Sequence, residues 1–219
     1  MEIVKEKRRT IKLTLTDDGN IKIHAPNYTT THEINSFINS KKNWITKRQK
    51  KLNEYKKPCF KTLREGDKCL YMGKLYTLQI NTGKKTNITI ERDNLILNKR
   101  SPDLDTKETL IKCYKLLAKD ILPDRVHIHA MKMSYKYNQI RIKSSKTRWG
   151  SCSSKKNINL NWALLMAPMN VLDYVVIHEL CHLKEMNHSR KFWDLVKKYD
   201  PNYKEHINWL KNHQHWLKI

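Results

Sequence analysis

Between residues 178 and 188 the chain reads His178-Glu179-Leu180-Cys181-His182-Leu183-Lys184-Glu185-Met186-Asn187-His188, and the spacing of its histidines dictates a helix and also where that helix must end. On an α-helix, residues four apart lie about 40° apart around the axis and one turn apart along it, so His178 and His182 present imidazole nitrogens to one ion. Glu179, beside the first histidine, is too short and poorly aimed to be a third ligand. It is placed to take a proton from a metal-bound water, which is a hydrolase arrangement.

A catalytic zinc usually takes three protein ligands. His188 is the nearest candidate for the third, but in a continuous helix it would lie about 9 Å beyond His182 along the axis, too far for one ion. The helix therefore has to stop between them. Asn187 tolerates the left-handed conformation that terminates helices, and Ser189 can cap a new helix carrying Phe192, Trp193, Leu195, Val196 and Tyr199. The same gap between second and third histidine occurs in the metzincin pattern, although that pattern has a glycine where this chain has Glu185. Glu205 and His206 are the alternative source of a ligand, from a later helix.

Val171, Val175, His178 and His182 fall on one helical stripe flanked by Leu172, Val176, Leu180 and Leu183, so the two histidines point toward the core. Buried imidazoles without partners leave polar nitrogens unsatisfied, and a zinc ion removes that cost.

The 44 Lys and Arg against 21 Asp and Glu give a formal charge of +23, which predicts attraction to polyanions and makes DNA or RNA a candidate partner. The five cysteines, Cys59, Cys69, Cys113, Cys152 and Cys181, include no CxxC spacing, which argues against a disulfide framework or a cysteine-based zinc knuckle. Cys152 is weighed as a thiol that caps the metal. No run approaches the apolar length of a signal peptide or membrane span, so a cytoplasmic protein with no membrane partner is expected.

Along the chain, Ile11–Leu15 and Ile21–Ala25 alternate around Asp17-Asp18-Gly19-Asn20, a hairpin signal. Thr30 and Glu33 have capping-box spacing ahead of a helix through Phe37, Ile38, Trp44, Ile45 and Leu52, whose later half carries Lys41, Lys42, Lys47, Arg48, Lys50 and Lys51. Short strands follow near Cys69–Met72, Leu75–Ile80, Asn87–Ile90 and Leu95–Leu97. A seam is expected at Pro102, before a helix through Leu110, Tyr114 and Ile121. Pro123 is expected to interrupt that helix, with a further one through Val126 to Met133. Two strands are expected around Gln139–Lys143 and Ile158–Leu165, and then the metal helix, opened by Pro168 and Asn170. Trp149 and Trp162 are read as core packing.

Arg148-Trp149-Gly150-Ser151-Cys152, then Asn159-Leu160-Asn161-Trp162, the run from Leu172 to Leu183, and Asn187-His188-Ser189 with Phe192-Trp193 resemble the YgjP-like metallopeptidase domain. The resemblance extends from the amino-terminal strands to Trp209-Leu210. That family is similar to the SprT-like and WLM zinc proteases, whose HExxH helices follow a small sheet. The WLM spacing also places a third histidine six positions after the second, which favours His188, although WLM proteins have Gly-Pro where this chain has Met186-Asn187. The fold class implied is α+β: a β-rich amino-terminal subdomain with one basic helix, residues 1–100, followed by a zincin-like lobe with a small sheet and an HExxH active-site helix, residues 101–219.

The expected activity is peptide hydrolysis at one Zn2+ per chain held by His178, His182 and His188, with Glu179 as general base and later as proton donor to the leaving amine. Arg148, Tyr203, His213 and His215 are the candidates for stabilising the tetrahedral intermediate. An edge strand near Arg148 to Ser153 is a candidate to pair with an extended polypeptide substrate. Some relatives cleave proteins trapped on DNA, which by analogy makes nucleic-acid-associated proteins candidate substrates. The alternative is a nucleic-acid-binding module with a structural, non-catalytic zinc, using Lys41 to Lys51 and aromatics such as Trp44. An intact Glu179 would be superfluous there.

Overall fold

The computed structural model of the chain describes residues 1–16, 20–46, 49, 63–214 and 216–217. Glu2–Glu6 (β1), Lys12–Leu15 (β2) and Ile21–Pro26 (β3) form a sheet in the order β1-β3-β2. β2 and β3 pair antiparallel with Leu13 opposite Ile23, as the alternation predicts, and the turn residues 17–19 lie outside the described residues. Helix α1 (Thr31–Ser40) starts at the expected capping box: Glu33 N–H donates to Thr30 Oγ1, and Thr30 N–H donates to the Glu33 carboxylate. Ile34 packs with Ile23 and Ala25 in a small core. Of the basic segment, residues 42–46 are helical, whereas Lys47, Arg48, Lys50, Lys51 and Leu52 lie outside the described residues, as does Cys59.

The chain divides into two compact units, residues 1–57 and 58–219, and not at the seam expected after residue 100. The reason is a shared core. Lys68–Tyr71 (β4), Lys74–Thr82 (β5), Asn87–Glu91 (β6) and Asn94–Lys99 (β7) form a four-stranded sheet whose buried Leu70, Leu78, Leu95 and Leu97 belong to one cluster with Leu110, Tyr114 and Leu172 of the segment after the seam. Tyr114 fixes the two halves further by donating its hydroxyl to the Leu70 carbonyl, 2.9 Å.

A second departure concerns Pro123. Helix α2 runs unbroken from Thr106 to Met133 with Pro123 inside it, where an interruption was expected. Leu110, Tyr114, Ala118, Leu122, Val126 and Ala130 are all buried and recur every four residues on both sides of the proline, so burying that row holds the helix together. The carbonyl deprived of its amide partner belongs to Lys119, which is exposed and open to water.

The remaining strands, Gln139–Lys143 (β8), Gly150–Cys152 (β9) and Asn157–Asn161 (β10), form a sheet in the order β8-β10-β9, so β9 is an edge strand among the described residues. β10 stops at Asn161 instead of running to Leu165. The Asn161 side chain accepts the Ala163 N–H at 3.2 Å, and residues Trp162–Met166 turn as a short 3-10 helix. Trp162 is buried and Trp149 packs against the same core.

Helix α3 (Met169–Cys181) lies against α2, the 3-10 turn and the β9–β10 strands, followed by α4 (Arg190–Tyr199) and α5 (Tyr203–His213). Arg125 on α2 grips Asp173 on α3 through two hydrogen bonds of 2.7 and 2.6 Å, and His129 Nε2 lies 3.2 Å from the same carboxylate. Burial raises the Asp173 pKa, but the hydrogen bonds from His129 and Arg125 outweigh it and hold the carboxyl below its ordinary 3.8. A depressed carboxylate adds stability that is present above pH 4 and lost as the pH falls through the folded-state value. Asp173→Asn is expected to cost about 2 kcal/mol at neutral pH. The melting temperatures of the two metal-free proteins should converge below pH 4; a gap that persists in acid contradicts this role. No helix among the described residues is long and apolar enough to cross a membrane.

Candidate metal centre

Nearly every face of α3 is apolar: Val171, Leu172, Tyr174, Val175, Val176, Ile177, Leu180 and Cys181 are all buried, so the helix threads the core and carries His178, Glu179 and His182 inward with it. It ends at Cys181. His182 follows with right-handed helical angles, and the Lys184 and Glu185 amides both donate to the Cys181 carbonyl, which turns the chain within one step of the last helical residue. The left-handed Asn187 expected from the sequence is therefore absent: Asn187 is not in that region, and the reversal is made earlier, by the turn over 182–184. Ser189 caps α4 as expected, accepting the Phe192 N–H.

This short reversal brings three imidazoles together. The ligand atoms of His178, His182 and His188 all lie within 4.8 Å of one another, and the Nε2 atoms of His178 and His188 are 3.1 Å apart. His182 Nδ1 is 3.0 Å from the Glu185 carbonyl, which can only accept, so Nδ1 carries the proton and Nε2 keeps its lone pair. His178 Nδ1 faces the Tyr174 hydroxyl one turn earlier, at 3.5 Å. Burial pushes His178 down to about 3, with His182 and His188 adding to the effect, and burial also lowers His182. Both rings are thus held neutral, the form that binds a metal. Phe192, fully buried, stacks on His182 and meets His178 and His188 edge-on, with centroids 4.5 to 4.9 Å away. Trp193 stacks on the exposed His188 at 5.8 Å.

Glu179 is only 5% exposed, and its Oε2 has no hydrogen-bond partner among the described residues. Burial pushes the carboxyl up to about 8 against the opposing charge of Arg148. The opposite wall is Gly150 of β9: a Cβ there would lie 2.6 Å from Glu179 Oε1 and 2.7 Å from its Cγ. Three imidazole nitrogen donors and a buried oxygen without a partner among the described residues, one residue from the first of them, suit a zinc ion and a water beside it. Gly150→Ala has to displace the carboxylate, and a loss of at least about tenfold in hydrolysis is expected, with folding weakened by about 1–3 kcal/mol. Unchanged hydrolysis in Gly150→Ala would contradict this packing.

The family model for the YgjP-like metallopeptidase domain matches residues 9–213. The chain belongs to this family. Among solved structures, the YgjP-like chain is similar to the metallopeptidase zymogen abylysin of Pyrococcus abyssi, at 28% identity and a TM-score of 0.39, over 43% of this chain and 96% of that one. It is also similar to the zymogen jannalysin of Methanocaldococcus jannaschii, at 25% identity and a TM-score of 0.39, over 42% and 96%. No curated protein matches it.

The other residues singled out in this YgjP-like chain are dispersed. Glu205 is exposed, and His206 has both ring nitrogens engaged, by Asp200 at 2.7 Å and Asn170 at 3.0 Å, so neither joins the three histidines. Tyr203 stacks on Trp193 at 5.4 Å, one ring removed from His188. His213 donates from Nδ1 to the Trp209 carbonyl and stacks on the Trp209 ring, while His215 lies outside the described residues. Arg148 is exposed, close enough for its charge to act on Glu179. The Cys152 thiol, raised to about 11 by burial and then by Glu179, is protonated and stands outside the histidine group. Phe192, Tyr174 and Gly150 were not read from the sequence as parts of the site. The one signal for Tyr174 was its place four residues before His178, on the same helical face.

Proposed function

We propose that this chain is a zinc-dependent metallopeptidase of the HExxH-x5-H type, in which His178, His182 and His188 hold one ion and Glu179 is the general base. A zinc ion held there supplies Lewis acidity, polarising the peptide carbonyl and lowering the pKa of the attacking water. Glu179 Oε2 takes the proton that the water loses, and the same carboxyl returns it to the leaving amine nitrogen as the C–N bond breaks. The edge strand β9, against which Glu179 packs, offers unpaired main-chain groups to an extended polypeptide. Arg148, whose charge acts on Glu179, and Tyr203, stacked on Trp193, are the candidates for stabilising the oxyanion.

The observation that carries this reading is the buried oxygen of Glu179, without a partner among the described residues, beside the three converging imidazoles. A nucleic-acid-binding module with a structural zinc gives that oxygen no task, and structural sites take four protein ligands. The charge of +23 remains suited to drawing the peptidase toward DNA- or RNA-associated proteins. X-ray absorption at the zinc edge of the loaded protein separates the two readings. Three imidazoles with no sulfur support the peptidase site; a sulfur shell near 2.3 Å would point to Cys152 or another thiol and a closed, structural site.

A further inference from the structure

The segment between β8 and β9, Ser144 to Trp149, is held in a defined shape. The Asn161 side chain donates to the carbonyls of Ser145 and Arg148 at 2.8 and 3.3 Å, the Asn161 N–H donates to the Trp149 carbonyl, and Trp162 Nε1–H donates to Ser144 Oγ at 3.0 Å. Beside it opens a cleft of about 450 Å³ whose lining includes Lys143, Lys146, Arg148, Gly150 and Ser151 and no aspartate or glutamate. None of the three cations makes an ion pair among the described residues, so the cleft presents positive charge on a pinned loop.

Its position relates it to the bond that would be cut. Side chains alternate across a strand: Gly150 abuts Glu179, whereas Ser151 points to the other face, where its hydroxyl accepts from Asn159 Nδ2 at 3.1 Å. A polypeptide paired with the free edge of β9 would therefore send every second side chain to the Ser151 face, the face of the sheet that by register also carries Lys143 and that the cleft covers. We propose that this cleft is a subsite for an acidic side chain of the polypeptide substrate, with Lys143 and Lys146 as its cations. The proposal rests on the peptidase reading above. A phosphate backbone would be attracted by the same charges, but the cleft adjoins the strand on which a peptide would lie, which favours the carboxylate.

The test uses zinc-loaded full-length protein and a set of fluorogenic peptides in which one position at a time carries Glu or Gln. At one or more positions kcat/KM for Glu should exceed that for Gln by about tenfold, the low end for a charge-assisted contact. Lys143→Glu/Lys146→Glu should remove or invert that ratio. The single variant Lys146→Gln, at an exposed position, should reduce it in a protein whose circular dichroism matches wild type. Peptides cleaved with a ratio near one at every position would overturn the subsite while leaving the peptidase standing. If in addition the lysine variants lose salt-sensitive binding of a short oligonucleotide, the cleft is a phosphate site. Failure to cleave any peptide would overturn the peptidase reading and the subsite with it.

Discussion

Glu179→Gln is expected to retain one zinc per chain and to lose peptide hydrolysis by about a thousandfold, within the range that general acid-base groups supply. Glutamine has almost the same shape as the buried carboxyl, so it fits against Gly150 without the clash that a Cβ at Gly150 creates. Its amide has no basic oxygen for the proton of the attacking water and no acidic proton for the leaving amine. Because burial disfavours the carboxylate, its removal should leave the melting temperature unchanged or slightly raised. Loss of activity without loss of metal or stability is thus the signature of a chemical role. A fully active Glu179→Gln protein would rule out the general base, and a variant that loses its zinc would show Glu179 to be a ligand.

His188→Ala should have an equally large effect by a different route. His178 and His182 are fixed by a buried helix, whereas His188 comes from the exposed segment after the turn and is positioned by stacking on Trp193 and by the edge of Phe192. Removing its ring leaves two nitrogens, and zinc affinity should fall by more than the 10- to 100-fold that loss of a partner behind a ligand costs. A metal that binds only the native state stabilises it by about 2.7 kcal/mol at a hundred times its dissociation constant. Zinc should therefore raise the melting temperature of wild type strongly and that of His188→Ala little. Glu205→Ala should keep the full zinc-induced rise, since Glu205 is exposed and apart from the three rings. The reverse pattern would place the third ligand on α5.

The periodicity of the amino-terminal hairpin, the Thr30 capping box, the four strands between residues 68 and 99 and the metal helix were legible because each is a local pattern. What was missed depended on the partner across the core. Pro123 alone reads as a break, and only the buried row from Leu110 to Ala130 shows why α2 continues. The seam at Pro102 looks like a boundary until Leu78 and Leu95 are found packed with Leu110 and Tyr114. Within the site, the converging histidines could be inferred from spacing and the need to end the helix before His188. The means of ending it could not, because Asn187 tolerates a conformation that the turn at 182–184 makes unnecessary. Gly150 lies far from Glu179 in sequence, and its role as the wall of the carboxylate's pocket arises only from the packing of β9 on α3.

If the three histidines hold a metal that cuts peptide bonds, hydrolysis must follow the metal content of the protein. The most direct test is hydrolysis of casein by the purified protein before chelation, after complete metal removal, and after reloading, with metal content measured on the same samples. Activity abolished by chelation and restored as zinc approaches one per chain is the predicted result. Cleavage that survives full chelation, or a fully zinc-loaded protein that cleaves nothing, would contradict it.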